Sequence, residues 1–184
     1  LTPDTRAKDG IDLRYGIQGT KANDRVASAG VLSFSLENSA KNTTGAAGAY
    51  SPGHANAIAG WDIGVRVYLK ITYDGVTYYK FNGTITDIIP TSGQHRGPHN
   101  VKVTAVDFMD DLARATTRDQ TIQENKRADE LISELVTNSV ARVPDGTDYS
   151  VGQSTFPIAF DNISPSTSVL RAAADVVMSE LGYL

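Results

Sequence analysis

The chain of 184 residues contains no cysteine, which excludes disulfide bonds and thiolate metal sites. It has no apolar run long enough to span a bilayer and no hydrophobic segment of the secretory type. It also lacks an excess of positive charge, because 17 basic and 21 acidic residues give a formal net charge of −4. A dedicated nucleic-acid-binding protein presents a basic face instead. We therefore expect a protein made in a reducing cytoplasm, without a membrane segment and without specific nucleic-acid binding.

The residues that are present have the composition of a globular protein. Hydrophobic residues make up 40 % of the chain and charged residues 21 %, which is enough to build a packed core at this length. The chain begins at Leu1 rather than at a methionine, and it stops at Leu184, directly after a predicted helix. We therefore expect it to be part of a longer protein.

A β-hairpin is the clearest prediction, and it lies within the stretch from Val65 to Leu112. Apolar residues alternate strictly from Val65 to Tyr73, which is typical of a half-buried strand. Asp74-Gly75 follows and predicts a two-residue hairpin turn, because both positions of such a turn need positive φ. The return strand continues to Pro90, and Gly83 within it predicts a bulge or a sharp bend, as at the corner of a barrel.

Further strands are predicted on both sides of the hairpin. Gly30–Leu36 places apolar residues on one face and serines on the other, and residues 11–17 alternate more weakly. Val101, Val103 and Ala105 form another alternating strand. Asp107 is a suitable N-cap for a short helix after it.

The segment from Asn38 to Gly60 consists mainly of Ala, Gly, Ser, Asn and Thr. Loops of this length are uncommon inside compact domains, where about 12–15 residues is the usual limit. Two interpretations remain open. The segment is either a mobile surface loop or a loop that becomes ordered against a neighbouring subunit.

Two more helices are predicted towards the C-terminus. Helical spacing of apolar residues indicates an amphipathic helix over Asn125–Val140. Ser164-Pro165 predicts the start of a second helix, because a hydroxyl N-cap is followed by proline at the first helical position. Gly182 suits the left-handed residue after its end.

The residues that could carry chemistry do not form a convincing site. His95 and His99 lie four residues apart, but glycine and proline between them break any helix and no third metal ligand is evident. His54 is a lone loop histidine, for which a turn or an interface role is the stronger interpretation. Asp110-Asp111 are neighbours on a predicted helix and so point in different directions, unlike a catalytic carboxylate pair. We predict no catalytic residue, no metal and no cofactor.

Aromatic residues concentrate in and near the hairpin. They could stack against sugars or bases, but aromatic residues are also ordinary strand residues that pack in a core or against another subunit. The second interpretation is favoured. The residues concerned are Trp61, Tyr68, Tyr73, Tyr78, Tyr79 and Phe81.

The order of these segments resembles a known family. The sequence contains G-V-L-S-F-S-L-E-N-S from Gly30, a small-residue loop with Y-S-P-G-H, then G-W-D-I-G-V-R-V, the hairpin, F-N-G-T-I from Phe81 and V-K-V-T-A-V-D-F-M-D-D-L from Val101. This order is similar to the N-terminal part of bacteriophage and prophage tail proteins of the baseplate hub or tail-tip family. That family is related in fold to the hub of contractile tails and to the spike of type VI secretion.

The resemblance implies an α+β fold. Residues 1–115 would form a mainly antiparallel β-barrel of the tail-tube or hub type with a short packing helix. Residues 116–184 would supply two further helices that lead into a second lobe. The protein would be a structural virion subunit, assembled in the bacterial cytoplasm into a trimer or larger ring between the tail tube and a spike or fibre. The residues that we predict at the subunit interface are Tyr50, His54, Trp61, Tyr68 and Tyr79.

Two other functions stay open at this point. The chain could be a carbohydrate-binding or adhesin-like β-domain that uses its aromatic residues and the long loop. It could also be the non-catalytic N-terminal part of a tail-associated cell-wall hydrolase, whose chemistry would lie beyond Leu184.

Overall fold

The computed structural model describes residues 2–6, 9–17, 19, 21, 24–91, 99–144 and 147–182. The chain divides into two compact units. The first comprises Leu1–Arg14 and Gly30–Asp107, and the second comprises Tyr15–Ala29 and Phe108–Leu184. The predicted division after residue 115 differs from these units, because it assigns residues 15–29 and 108–115 to the first domain.

The described residues form seven strands and three α-helices, in agreement with the predicted α+β class and its mainly antiparallel strands. A 3₁₀ helix at Thr2–Asp4 comes first. The strands are β1 Ile11–Gly16, β2 Ser28–Glu37, β3 Arg66–Tyr73, β4 Val76–Pro90, β5 Asn100–Asp107, β6 Gln123–Arg127 and β7 Thr155–Ala159. The helices are α1 Phe108–Arg114, α2 Ala128–Ser139 and α3 Val169–Ser179. None of the helices in the described ranges is long and apolar enough to cross a membrane.

The first five strands form one sheet in the order β1-β2-β5-β4-β3. The pairs β2–β5, β5–β4 and β4–β3 are all antiparallel. A barrel closes only when its first and last strands pair with each other. Here β1 and β3 are the two edges, so the described strands form an open sheet and not the closed barrel expected from the sequence.

The core of the first unit lies against one face of this sheet. The alternation predicted for β2 is confirmed, because Leu32, Phe34 and Leu36 are buried and the residues between them are only partly buried. β5 contributes its own alternate residues from the neighbouring strand. The other buried members of this cluster are Ala49, Tyr50, Trp61, Val67, Phe81, Ile85, Val101, Val103 and Ala105.

Gly83 lies in the middle of β4, which is 15 residues long. A Cβ atom there would lie 2.3 Å from the Val106 carbonyl oxygen and 2.5 Å from the Phe81 ring. Glycine therefore permits β5 to approach β4 closely. The register shifts are on either side, where Lys80 and Thr86 have no residue opposite them. The bulge or bend predicted at Gly83 is thus replaced by two bulges that flank it.

The segment 38–60 is held by hydrogen bonds within the chain, which matches neither interpretation offered by its composition. Asn38 is at the centre of these bonds. Its Oδ1 accepts from the Tyr50 backbone N–H at 2.8 Å, its Nδ2 donates to Ser51 Oγ at 2.8 Å, and its carbonyl accepts from the Gly48 N–H at 2.9 Å. Composition does not indicate this, because a few polar side chains, together with the buried Ala49 and Tyr50, organise a segment otherwise made of small residues.

The N-terminal residues fasten the same segment through a buried carboxylate. Asp4 is 5 % exposed. It accepts hydrogen bonds from Tyr50 Oη at 2.5 Å, Thr43 Oγ1 at 2.6 Å and the Thr43 N–H at 2.8 Å. Next to it, Thr5 bridges Leu36 of β2 in antiparallel fashion. The Asp4 carboxylate thus joins the N-terminal residues to Thr43 and Tyr50 of segment 38–60.

The second unit packs α1, α2 and α3 around a separate core, beside a two-stranded sheet of β6 and β7. The predicted helix over Asn125–Val140 is shorter than expected, since α2 begins only at Ala128 after β6. Its apolar stripe is buried as predicted. The largest fully buried apolar side chains of the second unit are Leu131, Leu135 and Val136 of α2 and Val169 of α3.

The last helix also begins later than predicted. Ser164-Pro165 lies in a turn, and α3 starts at Val169 with Ser168 as N-cap, whose Oγ accepts from the Arg171 N–H at 3.2 Å. At the other end the left-handed residue is Leu181, with φ 57°, and not Gly182. The Gly182 N–H donates to the Val177 carbonyl at 2.9 Å, which closes the helix.

Candidate interaction surface

The hairpin of β3 and β4 turns at Asp74-Gly75, as predicted. The φ angles are 48° and 74°, both positive, as the favoured two-residue turn requires. Tyr73 pairs with Val76 directly beside the turn. We refer to residues 66–80 as the hairpin arm.

One face of the hairpin arm is buried at its base and exposed towards the turn. Residues directly opposite each other on paired strands share a face. Leu69 lies opposite Phe81, and both pack in the core. The next two pairs on that face, Ile71–Tyr78 and Tyr73–Val76, are exposed by 48 %, 44 %, 75 % and 52 % respectively. We call these four residues the apolar face of the arm.

The opposite face combines tyrosine with lysine. Tyr68 and Tyr79 are 50 % and 69 % exposed. Lys70 Nζ lies 4.7 Å from the centre of the Tyr79 ring and 6.0 Å from that of Tyr68. On the apolar face itself, Lys80 Nζ lies 5.4 Å from the centre of the Tyr78 ring. These cation–π contacts orient the exposed rings and add positive charge to the arm.

Two residues predicted at a subunit interface lie in the core of the chain itself. Tyr50 is 2 % and Trp61 is 8 % exposed. Their rings meet edge to face with centroids 5.5 Å apart, and Trp61 Nε1 donates to the Tyr50 carbonyl at 3.0 Å. The Tyr50 backbone N–H and hydroxyl are held by Asn38 and Asp4, and Trp61 packs on Tyr50, so both side chains are buried within the chain itself.

The other three predicted interface residues are on the surface. Tyr68 and Tyr79 belong to the hairpin arm. His54 is exposed in segment 38–60, and its Nδ1 accepts from the Asn56 N–H at 3.1 Å. A role in subunit contact stays a prediction for these three.

The apolar face of the arm is the group that the sequence prediction of interface residues omits. The sequence places Tyr73 and Tyr78 among the aromatic residues that pack in a core or against another subunit, but the predicted interface includes neither them nor Ile71 and Val76. Alternation cannot tell a covered strand from one that extends past the core. A signal was nevertheless present. The apolar alternation of the first strand runs without interruption to the turn, and Val76 and Tyr78 continue it directly after the turn.

The chemical groups considered in the sequence are scattered. Among the described residues, no cluster of three or more His, Cys, Asp or Glu could hold a metal ion. His95 lies outside the described residues. Asp110 forms an ion pair with Arg114 at 2.8 Å along α1, and both Asp110 and Asp111 are in its first turn. The positions of these aspartates suit a favourable interaction with the helix N-terminus.

Charge is distributed unequally along the chain. Residues 108–184 contain twelve acidic and six basic residues, a formal net charge of −6, while residues 1–107 contain nine acidic and eleven basic residues, a net charge of +2. The hairpin arm holds Arg66, Lys70 and Lys80 against a single acid, Asp74, which makes it +2 by itself. The arm is therefore basic in an acidic protein.

The chain matches no family model, and it matches no curated protein. Among solved structures it is similar to the Escherichia coli c3393 protein, described as a component of the type VI secretion system with structural similarity to the T4 bacteriophage tail proteins gp27 and gp5. The TM-score is 0.44 and the sequence identity 11 %, over 81 % of this chain and 35 % of that one. The chain thus spans about a third of the length of the E. coli protein.

Proposed function

We propose that this chain is a structural subunit of a bacteriophage or prophage tail that associates with further copies of itself through the hairpin arm. The expected assembly is a trimer or larger ring at the baseplate hub or tail tip, in contact with tube, spike or fibre proteins of the virion. The proposal gives the described residues no catalytic role. Two observations support it: the order of segments in the sequence, which resembles that of tail proteins, and the exposed apolar face of the hairpin arm.

The apolar face of the arm is the observation that carries the proposal. Each aromatic side chain can bury roughly 150–250 Å². The two tyrosines of this face, Tyr73 and Tyr78, could therefore bury up to roughly 300–500 Å², about half of the ~800 Å² that each partner buries in a standard interface. A contiguous exposed apolar patch is a mark of an interaction site, unlike apolar residues that are exposed singly. A hairpin that keeps its apolar alternation beyond its own core is suited to packing against another subunit.

The carbohydrate-binding alternative is less well supported by the same residues. A sugar ring stacks on a free aromatic face. Lys70 lies over the rings of both Tyr68 and Tyr79, the two exposed tyrosines on the face opposite the apolar one. A sugar would have to displace this lysine, whereas a protein partner could use lysine and rings together.

Sedimentation velocity over a range of protein concentrations tests the proposal. We expect wild-type protein to form trimers or larger rings reversibly. The double variant Ile71→Ser, Tyr73→Ser should associate at least tenfold more weakly, because it removes apolar surface that is exposed within the chain and so should leave the fold intact.

A matched control variant carries two similar changes elsewhere. Ile122 and Val151 are 58 % and 69 % exposed and lie outside the arm. Ile122→Ser, Val151→Ser should associate like the wild type. A wild-type protein that stays monomeric at every concentration, or an arm variant that associates as strongly as the control, would contradict the proposed function.

A further inference from the structure

A groove on the second unit has no role in the function proposed so far. It lies between β7, the residues that follow it, and α3, and its volume is about 450 Å³. Its walls are largely apolar and come from Phe156, Ile158, Phe160, Ile163, Ala172 and Val176. Ile158 is 59 % exposed at its edge. The volume falls within the range of roughly 300–1,000 Å³ typical of binding pockets.

The ionisable side chains that line this groove are both acidic. They are Asp161 and Asp175, and no lysine, arginine or histidine lines it among the described residues. Asp175 pairs with Arg171 at 3.2 Å, but both side chains are more than 60 % exposed, so the pair is weak and can be exchanged. Asp161 has no ion-pair partner within the described ranges of the chain. The groove therefore combines an apolar wall with a negatively charged rim.

The hairpin arm has the complementary character. It presents exposed apolar and aromatic side chains together with Lys70 and Lys80, within a segment of net charge +2. The groove belongs to a stretch of the chain, residues 108–184, whose net charge is −6. Opposite potentials of this kind speed up encounter and fix the orientation of a contact more than they raise its affinity.

We infer that the groove between β7 and α3 is the docking site for the hairpin arm of a second copy of this chain. The inference rests on the proposed function and names the surface that accepts the arm. Tyr73 and its apolar neighbours would enter the groove, and Lys80, whose Nζ lies 5.4 Å from the centre of the Tyr78 ring, would face Asp161 and Asp175. Lys70, on the opposite face of the arm, would add attraction at longer range. The contact joins two different surfaces, so each copy has one arm to donate and one groove to fill. Such a contact repeats from copy to copy and closes as a ring when the rotation allows it.

Charge reversal tests the pairing directly. The arm variant is Lys70→Glu, Lys80→Glu, and the groove variant is Asp161→Lys, Asp175→Lys. We expect each to weaken self-association at least tenfold in sedimentation velocity at low salt. The fourfold variant, which carries all these changes in one chain, should recover association to within about threefold of the wild type. A control reversal at the exposed ion pair of Arg14 and Asp12 should have no effect.

Failure of the inference is distinguishable from failure of the proposed function. If wild-type protein associates and the arm variant does not, but the groove variant associates normally, the arm is an interface and the groove is not its acceptor. If both reversals weaken association and the fourfold variant stays monomeric, the two surfaces do not pair and the inference is overturned. Circular dichroism of all variants must match the wild type, and the exposed positions chosen make this the expected result. Monomeric wild-type protein would contradict both proposals.

Discussion

Asp4 holds a negative charge in the protein interior without a basic side chain in its hydrogen-bond shell. Burial by itself would raise the pKa of this carboxyl group, but the hydrogen bonds from Thr43 and Tyr50 outweigh burial and lower the pKa below its ordinary value. Burial, followed by the bond to Asp4, raises the pKa of Tyr50 to about 12. The folded state therefore favours an ionised Asp4 beside a neutral Tyr50.

The shifted pKa values of Asp4 and Tyr50 mean that this pair stabilises the folded protein only within a limited range of pH. A carboxyl group whose pKa is lowered by folding stabilises the protein above the unfolded pKa of about 4, and this contribution is lost as the pH falls further. A tyrosine whose pKa is raised stabilises the protein below about pH 10, and this contribution is lost as the pH rises through 12. We predict that Asp4→Asn lowers the free energy of unfolding by about 1–3 kcal/mol at pH 7.

Urea unfolding at several pH values checks this prediction. The difference between wild type and Asp4→Asn should be largest near pH 7 and should shrink below pH 4, because the wild-type carboxylate then becomes protonated. Asp12→Asn is the control, since the Asp12 side chain is 58 % exposed and forms an exposed ion pair with Arg14. A difference that is the same at pH 7 and pH 3 would show that the Asp4 charge has no stabilising role.

Individual residues also show what the sequence could and could not predict of the candidate site. The turn at Asp74-Gly75 followed from local backbone preferences, and Tyr68 and Tyr79 are exposed on the hairpin arm. Tyr50 is buried where Asn38 and Asp4 bind its backbone N–H and its hydroxyl, and Trp61 donates to the Tyr50 carbonyl beside it. Those hydrogen bonds join residues far apart in sequence, and no local pattern reports them.

At the scale of elements, the strands of the first unit were predictable because their buried faces alternate clearly. β6 and β7 were not, since β6 reads Q-E-N-K-R and carries no apolar alternation. β6 is a strand because its backbone pairs with that of β7 in antiparallel fashion, and not because of its side-chain pattern. The closed barrel also failed as a prediction, because strand content does not determine whether the two edges of a sheet meet.

The start of α3 is determined by tertiary hydrogen bonds and not by the local sequence pattern. Ser164-Pro165 satisfies the usual pattern for a helix start. In the structure the carbonyls of Ser164 and Pro165 instead accept hydrogen bonds from Thr117 Oγ1 at 2.9 Å and the Arg118 N–H at 3.2 Å. These contacts keep residues 164–167 in a turn, and Ser168 is therefore the N-cap of α3.

This difference can be measured. We predict that Ser168→Ala lowers the free energy of unfolding by about 1 kcal/mol, the typical cost of losing an N-cap hydroxyl. Ser164→Ala, which would be the cap substitution if the helix began where the sequence suggests, should cost clearly less. Thermal unfolding followed by circular dichroism distinguishes the two, and an equal or larger loss for Ser164→Ala would contradict the observed start of α3.

For the whole molecule, the separation of charge between residues 1–107 and 108–184 predicts a dependence on salt. Exposed charges are screened over about 10 Å at 0.1 M ionic strength and over shorter distances above it. If the basic arm meets an acidic surface of another copy, self-association should weaken several-fold between 0.05 and 0.5 M sodium chloride. Sedimentation equilibrium at both concentrations measures this. Association that strengthens with salt would indicate a contact that is apolar only.

The division into two units has a consequence for synthesis on the ribosome. Residues 15–29 belong to the second unit, yet they are translated before most of the first. β2 follows them and finds its partner β5 only when residues 100–107 have emerged. The first unit can therefore complete its sheet as soon as Asp107 leaves the exit tunnel, while residues 15–29 wait for the segment from Phe108 onward. The first unit can therefore fold before residues 108–184, which complete the second unit with residues 15–29, have been synthesised. We expect its folding not to depend on that of the second unit.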